Sequence, residues 1–319
     1  MLQLLLGGSG SGKTTLLYQR IRARAEKGEK SILLVPEQFT SSTEGRIYRE
    51  LGDALSGMVE SFSFTSLAEK ILSTEGGAAV QTLSDAGRAV LVRRALEELQ
   101  DNVHYYHRHR RSAAFCQMAA QTIDELKSAG LSGQQLAQLA GACGAESGKL
   151  SELALIFQGY ETLLARSGMD PSDRLELAGA RLEEALARHS LPEFLRDRAV
   201  FIDEFDTFNA PKKRLLGALL EALPSVTVAL CDDGAPLLPG DLSLFSGAKQ
   251  VAAQLRQLAR KNGAEVAVPQ LLRKDLRHRN APGLAAVAEL LETGSCTADA
   301  PADEVRLFAA PSREEEARA

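Results

Sequence analysis

Cysteine is scarce in this sequence, and what there is stands far apart. The chain of 319 residues has four, Cys116, Cys143, Cys231 and Cys296, with no C-x-x-C spacing among them. That argues against a disulfide frame or a structural zinc site and suits reduced thiols in a cytoplasmic protein. Long apolar runs are missing too. None reaches the length of a membrane span, and the N-terminus reads as a core strand rather than a signal peptide, so no membrane partner is expected. Nor is there an excess of positive charge. A net charge of -5 argues against coating nucleic acid by bulk charge and leaves room only for a local basic groove. What remains is ordinary globular usage, 45% hydrophobic and 25% charged. The length allows two domains, or one large domain with an insert.

The most informative stretch is the first. Met1 to Leu6 is an apolar run that leads into Gly7-Gly8-Ser9-Gly10-Ser11-Gly12-Lys13-Thr14, a complete G-x-x-x-x-G-K-[ST] pattern. Four of the six residues before the lysine are glycine and two are serine. Such a backbone can fold into a concave loop whose N–H groups point at an anion. Lys13 supplies a positive charge for β/γ-phosphate oxygens, and the Thr14 hydroxyl can join a Mg²⁺ shell. Thr15 to Arg20 reads as helix, which places a positive dipole end behind the phosphates. A Gly/Ser-rich turn is the bland alternative, and the strand before and helix after argue against it. ATP and Mg²⁺ are therefore the expected ligands.

Further on, Ser31 to Val35 reads as a second buried strand ended by Pro36, Glu44 to Leu55 as a helix, and Met58 to Phe62 as a short strand. Continuous apolar strands alternating with helices imply an α/β fold with a parallel sheet covered on both faces. From about Gly76 the character changes. Leu153, Ile156, Phe157, Tyr160, Leu163 and Leu164 follow helical spacing, closed by Gly168, and Val92, Leu96 and Leu99 form another stripe. Residues 76–190 are thus expected to be an all-helical insert. The α/β pattern returns with strands at Ala199 to Ile202, Val226 to Leu230 and, more weakly, Glu265 to Val268, separated by helices at Pro211 to Leu223 and Ala248 to Lys261. Glu304 to Ala309 reads as a strand, and Pro311-Ser312 before three glutamates reads as a helix start. A chain that stops one turn into a helix is expected to be a fragment of a longer polypeptide.

Asp203-Glu204 follows directly on a buried strand. Asp203 is placed to hold the Mg²⁺ shell and Glu204 to act as base on water, making these the candidate catalytic pair. A solvated acidic pair capping the next helix is the bland reading. The functional reading requires Lys13 and Asp203 to face one crevice. A basic and aromatic cluster, His104 to Arg111, offers Arg108, Arg110 and Arg111 as candidate phosphate contacts. Its bland reading is a solvated helix junction.

These residues also carry a family resemblance. VFIDEF resembles motif II of the UvrD-like superfamily 1 helicases, VPEQFT their motif Ia, and ESFSFTSLAEKIL the T-F-H-S-L element. Asp170 to Leu175 resembles a D-F-x-D-L segment late in their inserted subdomain. Among them, an N-terminal GGSGSGKT followed by LLVPEQFT is similar to AddB-type subunits of bacterial helicase–nucleases. The resemblance implies a P-loop NTPase (RecA-like) domain 1A at 1–75 and 191–300, a helical 1B insert at 76–190, and the start of a truncated 2A-like domain at 301–319. It also implies a DNA path past Phe39, Thr40, Phe62 and Ser63, and an AddA-type partner subunit in a heterodimer. The work implied is processing of double-strand DNA ends for recombinational repair, with a nuclease and an iron–sulfur cluster only in a C-terminal part outside these residues. Leu276 to Asn280 faintly resembles an N-Y-R-S motif, which would put Arg279 at the γ-phosphate. Where a helicase reads G-D-x-x-Q, this chain reads Cys231-Asp232-Asp233-Gly234, which implies a weak or lost motor. Two other readings stay open: a P-loop module that holds ATP structurally, and an unrelated P-loop kinase or small ATPase.

Overall fold

The computed structural model describes residues 1–77, 79, 81–144, 147–295, 305–306 and 308–318. Its centre is a six-stranded, all-parallel sheet. The strands are β1 (Leu2–Gly7), β2 (Ser31–Leu34), β3 (Val59–Phe62), β4 (Ala199–Ile202), β5 (Ser225–Cys231) and β6 (Gln270–Leu272), and their order is β3-β2-β4-β5-β1-β6. The run Leu2 to Leu6 explains why β1 is interior. Leu2, Leu4, Leu5 and Leu6 are all buried, each stabilising the fold by roughly 1.5–3 kcal/mol. Successive strand residues face opposite sides. Leu4 and Leu6 accordingly join one apolar core and Leu5 the other.

Helices cover both faces. On one side α1 (Lys13–Ala25) and α2 (Thr40–Leu51) bury Leu17, Ile21, Ile47 and Leu51 against Leu33 and Phe201. A short α3 (Asp53–Ser56) follows, because Gly52 takes a positive φ of 74° and ends α2 there. The expected helix to Leu55 is thus two. On the other side lie α4 (Phe64–Glu75) and helices from further along the chain.

A long helical passage comes next: α5 (Asp85–Glu98), α6 (Ala113–Ser128), α7 (Gly133–Ala140), α8 (Ser147–Ser167) and α9 (Pro171–Ala187). The predicted stripes are in place. Val92 and Leu96 of α5, Cys116 and Ile123 of α6, and Phe157, Tyr160 and Leu164 of α8 form a core of their own. Helix α9 instead places Leu175, Ala178 and Leu182 in the sheet core, beside α10 (Ala210–Ala222) and α11 (Ser246–Lys261). The boundary between the two cores therefore falls inside the 76–190 segment. The α8–α9 junction is fixed by Asp170, which accepts from the Tyr160 hydroxyl at 2.6 Å and from Lys127 Nζ at 2.7 Å.

Two expectations need correction. The strand expected at Glu265 to Val268 is only a bridge from Val266 to Leu2. Pro269 has no N–H to continue a ladder, and pairing with β1 passes to β6. Of the strand expected at Glu304 to Ala309, the described residues Val305, Arg306, Phe308 and Ala309 are not in a strand; Glu304 and Leu307 lie outside the described residues, as does Cys296. Further on come α12 (Pro282–Thr293) and a helical turn, α13 (Arg313–Glu316). The turn does start after Ser312, whose side chain accepts from the Glu315 N–H.

Candidate functional site

The glycine loop crosses from the end of β1 to the start of α1. Gly10 and Gly12 sit at φ 77° and 89°, a region that costs other residues roughly 1–2 kcal/mol. Helix α1 begins with no side-chain cap and no acid in its first turn, so its first N–H groups are left for an anion. Lys13 folds back over the loop and donates from Nζ to the carbonyls of Gly7 and Gly8, each at 2.8 Å. The Ser11 hydroxyl is buried against Gly7 and has no hydrogen-bond partner.

Strand order decides what faces the loop. Only β5 separates β1 from β4, so the C-terminal ends of β1 and β4 lie about 10 Å apart at the usual strand spacing. Asp203 follows β4 and is buried, 6% exposed. Lys13, Thr14 and Thr15 share with Asp203 and Glu204 a cleft of about 700 Å³. Burial pushes the Asp203 carboxyl above its ordinary value; the Thr14 hydroxyl, the Glu204 N–H, Lys13 and Arg46 oppose this without cancelling it. Glu204 is raised as well, first by burial and then by the neighbouring Asp203 charge. Its backbone is left-handed, φ 64°, an uncommon state for glutamate that turns the chain sharply off the strand.

Among the expected loop residues, Ser9, Gly10, Gly12, Lys13, Thr14 and Thr15 line the cleft. Gly7 and Gly8 supply carbonyls beneath it. Arg279 is not in its lining. Arg277 is, and it donates from Nη1 to the Ser9 hydroxyl at 3.0 Å. Leu276 N–H donates to the Gly10 carbonyl at 3.0 Å, so residues 276–277 strap the loop. Of the residues expected on a DNA path, Phe39 lines the same cleft. Ser63 caps α4 and lines a separate groove of about 420 Å³ with Phe205 and Lys212. Thr40 donates its hydroxyl to the Glu37 carbonyl, and Phe62 packs on the sheet core. Arg108, Arg110 and Arg111 belong to the turn between α5 and α6 and line neither cleft. Glu152 holds that turn by accepting the N–H groups of His104, Tyr105 and Tyr106. Burial opposes its ionisation, but those N–H groups keep its carboxyl below the ordinary value.

Sequence reasoning missed Arg46. It lines the cleft from α2, with its guanidinium 4.8 Å from the Tyr18 ring centre. The signal was Phe39, Thr43 and Arg46 at i, i+4 and i+7, one face of a helix, and all three line the space beside Asp203.

Residues 4–288 match a family model described as "ADDB, N-terminal". The chain belongs to the AddB N-terminal family. Similar proteins include one from Desulforudis audaxviator, 34% identical over 99% of this chain. Others come from Moorella thermoacetica, 33% over 89%, and Symbiobacterium thermophilum, 31% over 100%. Each is named as the B subunit of an ATP-dependent helicase/deoxyribonuclease. This AddB N-terminal chain spans about a quarter of their length, 27%, 25% and 28% respectively. Among its described residues no helix is long and apolar enough to cross a membrane.

Proposed function

We propose that the chain is the ATP- and DNA-binding, helicase-like part of an AddB-type helicase/deoxyribonuclease, which processes double-strand DNA ends with an AddA-type partner. One observation carries the reading: Lys13, Thr14 and Asp203 line a single cleft. The donor set fits Mg·ATP. Hydroxyl and carboxylate oxygens of Thr14 and Asp203 are the hard ligands Mg²⁺ takes, and the uncapped start of α1 suits phosphate. Bound Mg²⁺ would neutralise charge on the β- and γ-phosphates. Within the chain, Lys13 orients the phosphates and Glu204 takes a proton from water, a task its raised pKa suits. Arg46 and Arg277 add positive charge at the cleft wall. On this reading the P-loop sheet is a RecA-like domain 1A and the core of α5–α8 its 1B insert.

The turnover is weak. After β5, Asp232 accepts the Gly234 N–H at 2.7 Å, while Asp233 and Asp241 pair with Lys249 at 3.2 and 3.3 Å. Those side chains are tied to one another rather than to the cleft, which favours a module that holds ATP and hydrolyses it slowly. ATP hydrolysis with and without single-stranded DNA tests the proposal. A slow rate that DNA raises, and that Glu204→Gln removes, supports it. A rate that DNA leaves unchanged supports a purely structural nucleotide.

A further inference from the structure

A second charged cleft lies at the opposite ends of the strands, where β2 and β4 begin. Lys30 immediately precedes Ser31 and Arg198 immediately precedes Ala199, and Ser31 and Ala199 are register partners. The sheet itself therefore brings these two cations side by side. With Lys70 of α4 and Arg196 they line a cleft of about 490 Å³. Phe194 adds an apolar wall, with Lys70 Nζ 5.8 Å from its ring centre. Asp203 stands at the other end of β4, five residues on and about 16 Å away at the usual rise, so the two clefts are separate.

The charge here is not balanced from within. Arg198, 7% exposed, is paired with Glu60 at 2.5 Å. Among the described residues, Lys30, Lys70 and Arg196 have no carboxylate at ion-pair distance. Glu193 is the acid in the lining. Asp197 turns the chain between the two arginines at φ 57° and does not line the cleft. In a chain of net charge -5, such a cluster repels itself until an anion enters.

We propose that this cleft is a phosphate-binding site that takes a backbone phosphodiester of DNA. A guanidinium fork and two ammonium groups match phosphate oxygens, and the Phe194 face suits the adjoining sugar or base. The proposal rests on the chain's reading as part of a DNA-processing subunit, and on no residue of the nucleotide cleft.

The test is binding of a fluorescent DNA duplex to the whole chain across a salt series. The variants are Arg196→Ala and the double change Lys30→Ala/Lys70→Ala. Arg198 is left in place because its loss would strand Glu60, and thermal melting checks that each variant folds. The expected result is affinity about three- to tenfold weaker, with the slope of log affinity against log salt reduced by about 0.9 for each phosphate no longer neutralised. Unchanged affinity and slope in both variants overturn the proposal. Inorganic phosphate that protects the wild-type chain but not the variants from melting, with duplex binding unchanged, overturns the DNA assignment in favour of a free anion. A fluorescent ATP analogue, titrated in parallel, reads the other cleft. Its failure to bind would sink the nucleotide reading and leave this result standing.

Discussion

Arg277 and Ser9 are 268 positions apart in sequence and 3.0 Å apart in space, the guanidinium donating to the hydroxyl. This contact ties the segment after β6 to the glycine loop. Cβ atoms at Gly10 and Gly12 would meet Arg277 Cβ at 2.7 Å and Leu276 Cδ1 at 2.9 Å. The strap can thus lie this close only over glycine. Arg277→Ala should weaken nucleotide binding about fivefold, roughly 1 kcal/mol, the net worth of one ordinary hydrogen bond. Gly10→Ala should weaken it more, because the left-handed backbone and the strap are disturbed together. Titration of a fluorescent ATP analogue measures both.

Asp203 sets stability against function. Its folded-state pKa is raised above the ordinary 3.8, by burial first. Protonation of Asp203 is therefore easier in the folded chain than in the unfolded one. The stability this contributes is present below the ordinary value and is lost as pH rises through the raised one. Asp203→Asn should raise the melting temperature at pH 7, and the gain should vanish under acid conditions where both side chains are neutral. Melting curves across pH check the sign. A variant that melts lower than wild type at pH 7 refutes the burial argument.

Lys127 holds the junction between the two apolar cores. It bonds Asp170, whose side chain is 1% exposed, and Asp173, both at 2.7 Å. Lys127→Met would leave the buried Asp170 carboxylate without its ammonium partner. A loss of roughly 3 kcal/mol is expected, read by urea denaturation. The double change Lys127→Met/Asp170→Asn should recover part of it, since the more deeply buried of the two charges is then gone and Asp173 is partly exposed.

The sheet was legible because its strands are continuous apolar runs with sharp ends. Leu2 to Leu6, Ala199 to Ile202 and Val226 to Leu230 are core strands, and the apolar stripes of α5 and α8 needed only their spacing. The cleft was half legible. The glycine loop and the acid pair are local patterns, so Lys13, Thr14 and Asp203 could be named in advance. For Arg46 the local signal was its helical spacing with Phe39 and Thr43, whereas Arg277 stands among Arg273, Lys274 and Arg279, so nothing local singles it out. Arg46 and Arg277 matter because α2 and the segment after β6 fold back on the loop, which is a tertiary fact. The same limit explains why the sequence points to Arg279, two positions from the arginine that reaches the loop. At Glu265 to Val268 the apolar pattern was real, and the following proline moved the pairing downstream.

The most direct test of the central claim is the affinity of an ATP analogue with and without Mg²⁺ for wild type, Lys13→Ala and Asp203→Asn. Lys13→Ala should lose about tenfold or more in both conditions, as for a charged hydrogen bond to phosphate. Asp203→Asn should lose only the Mg²⁺-dependent part. If both variants bind as wild type does, Lys13 and Asp203 do not serve one nucleotide and the account is wrong.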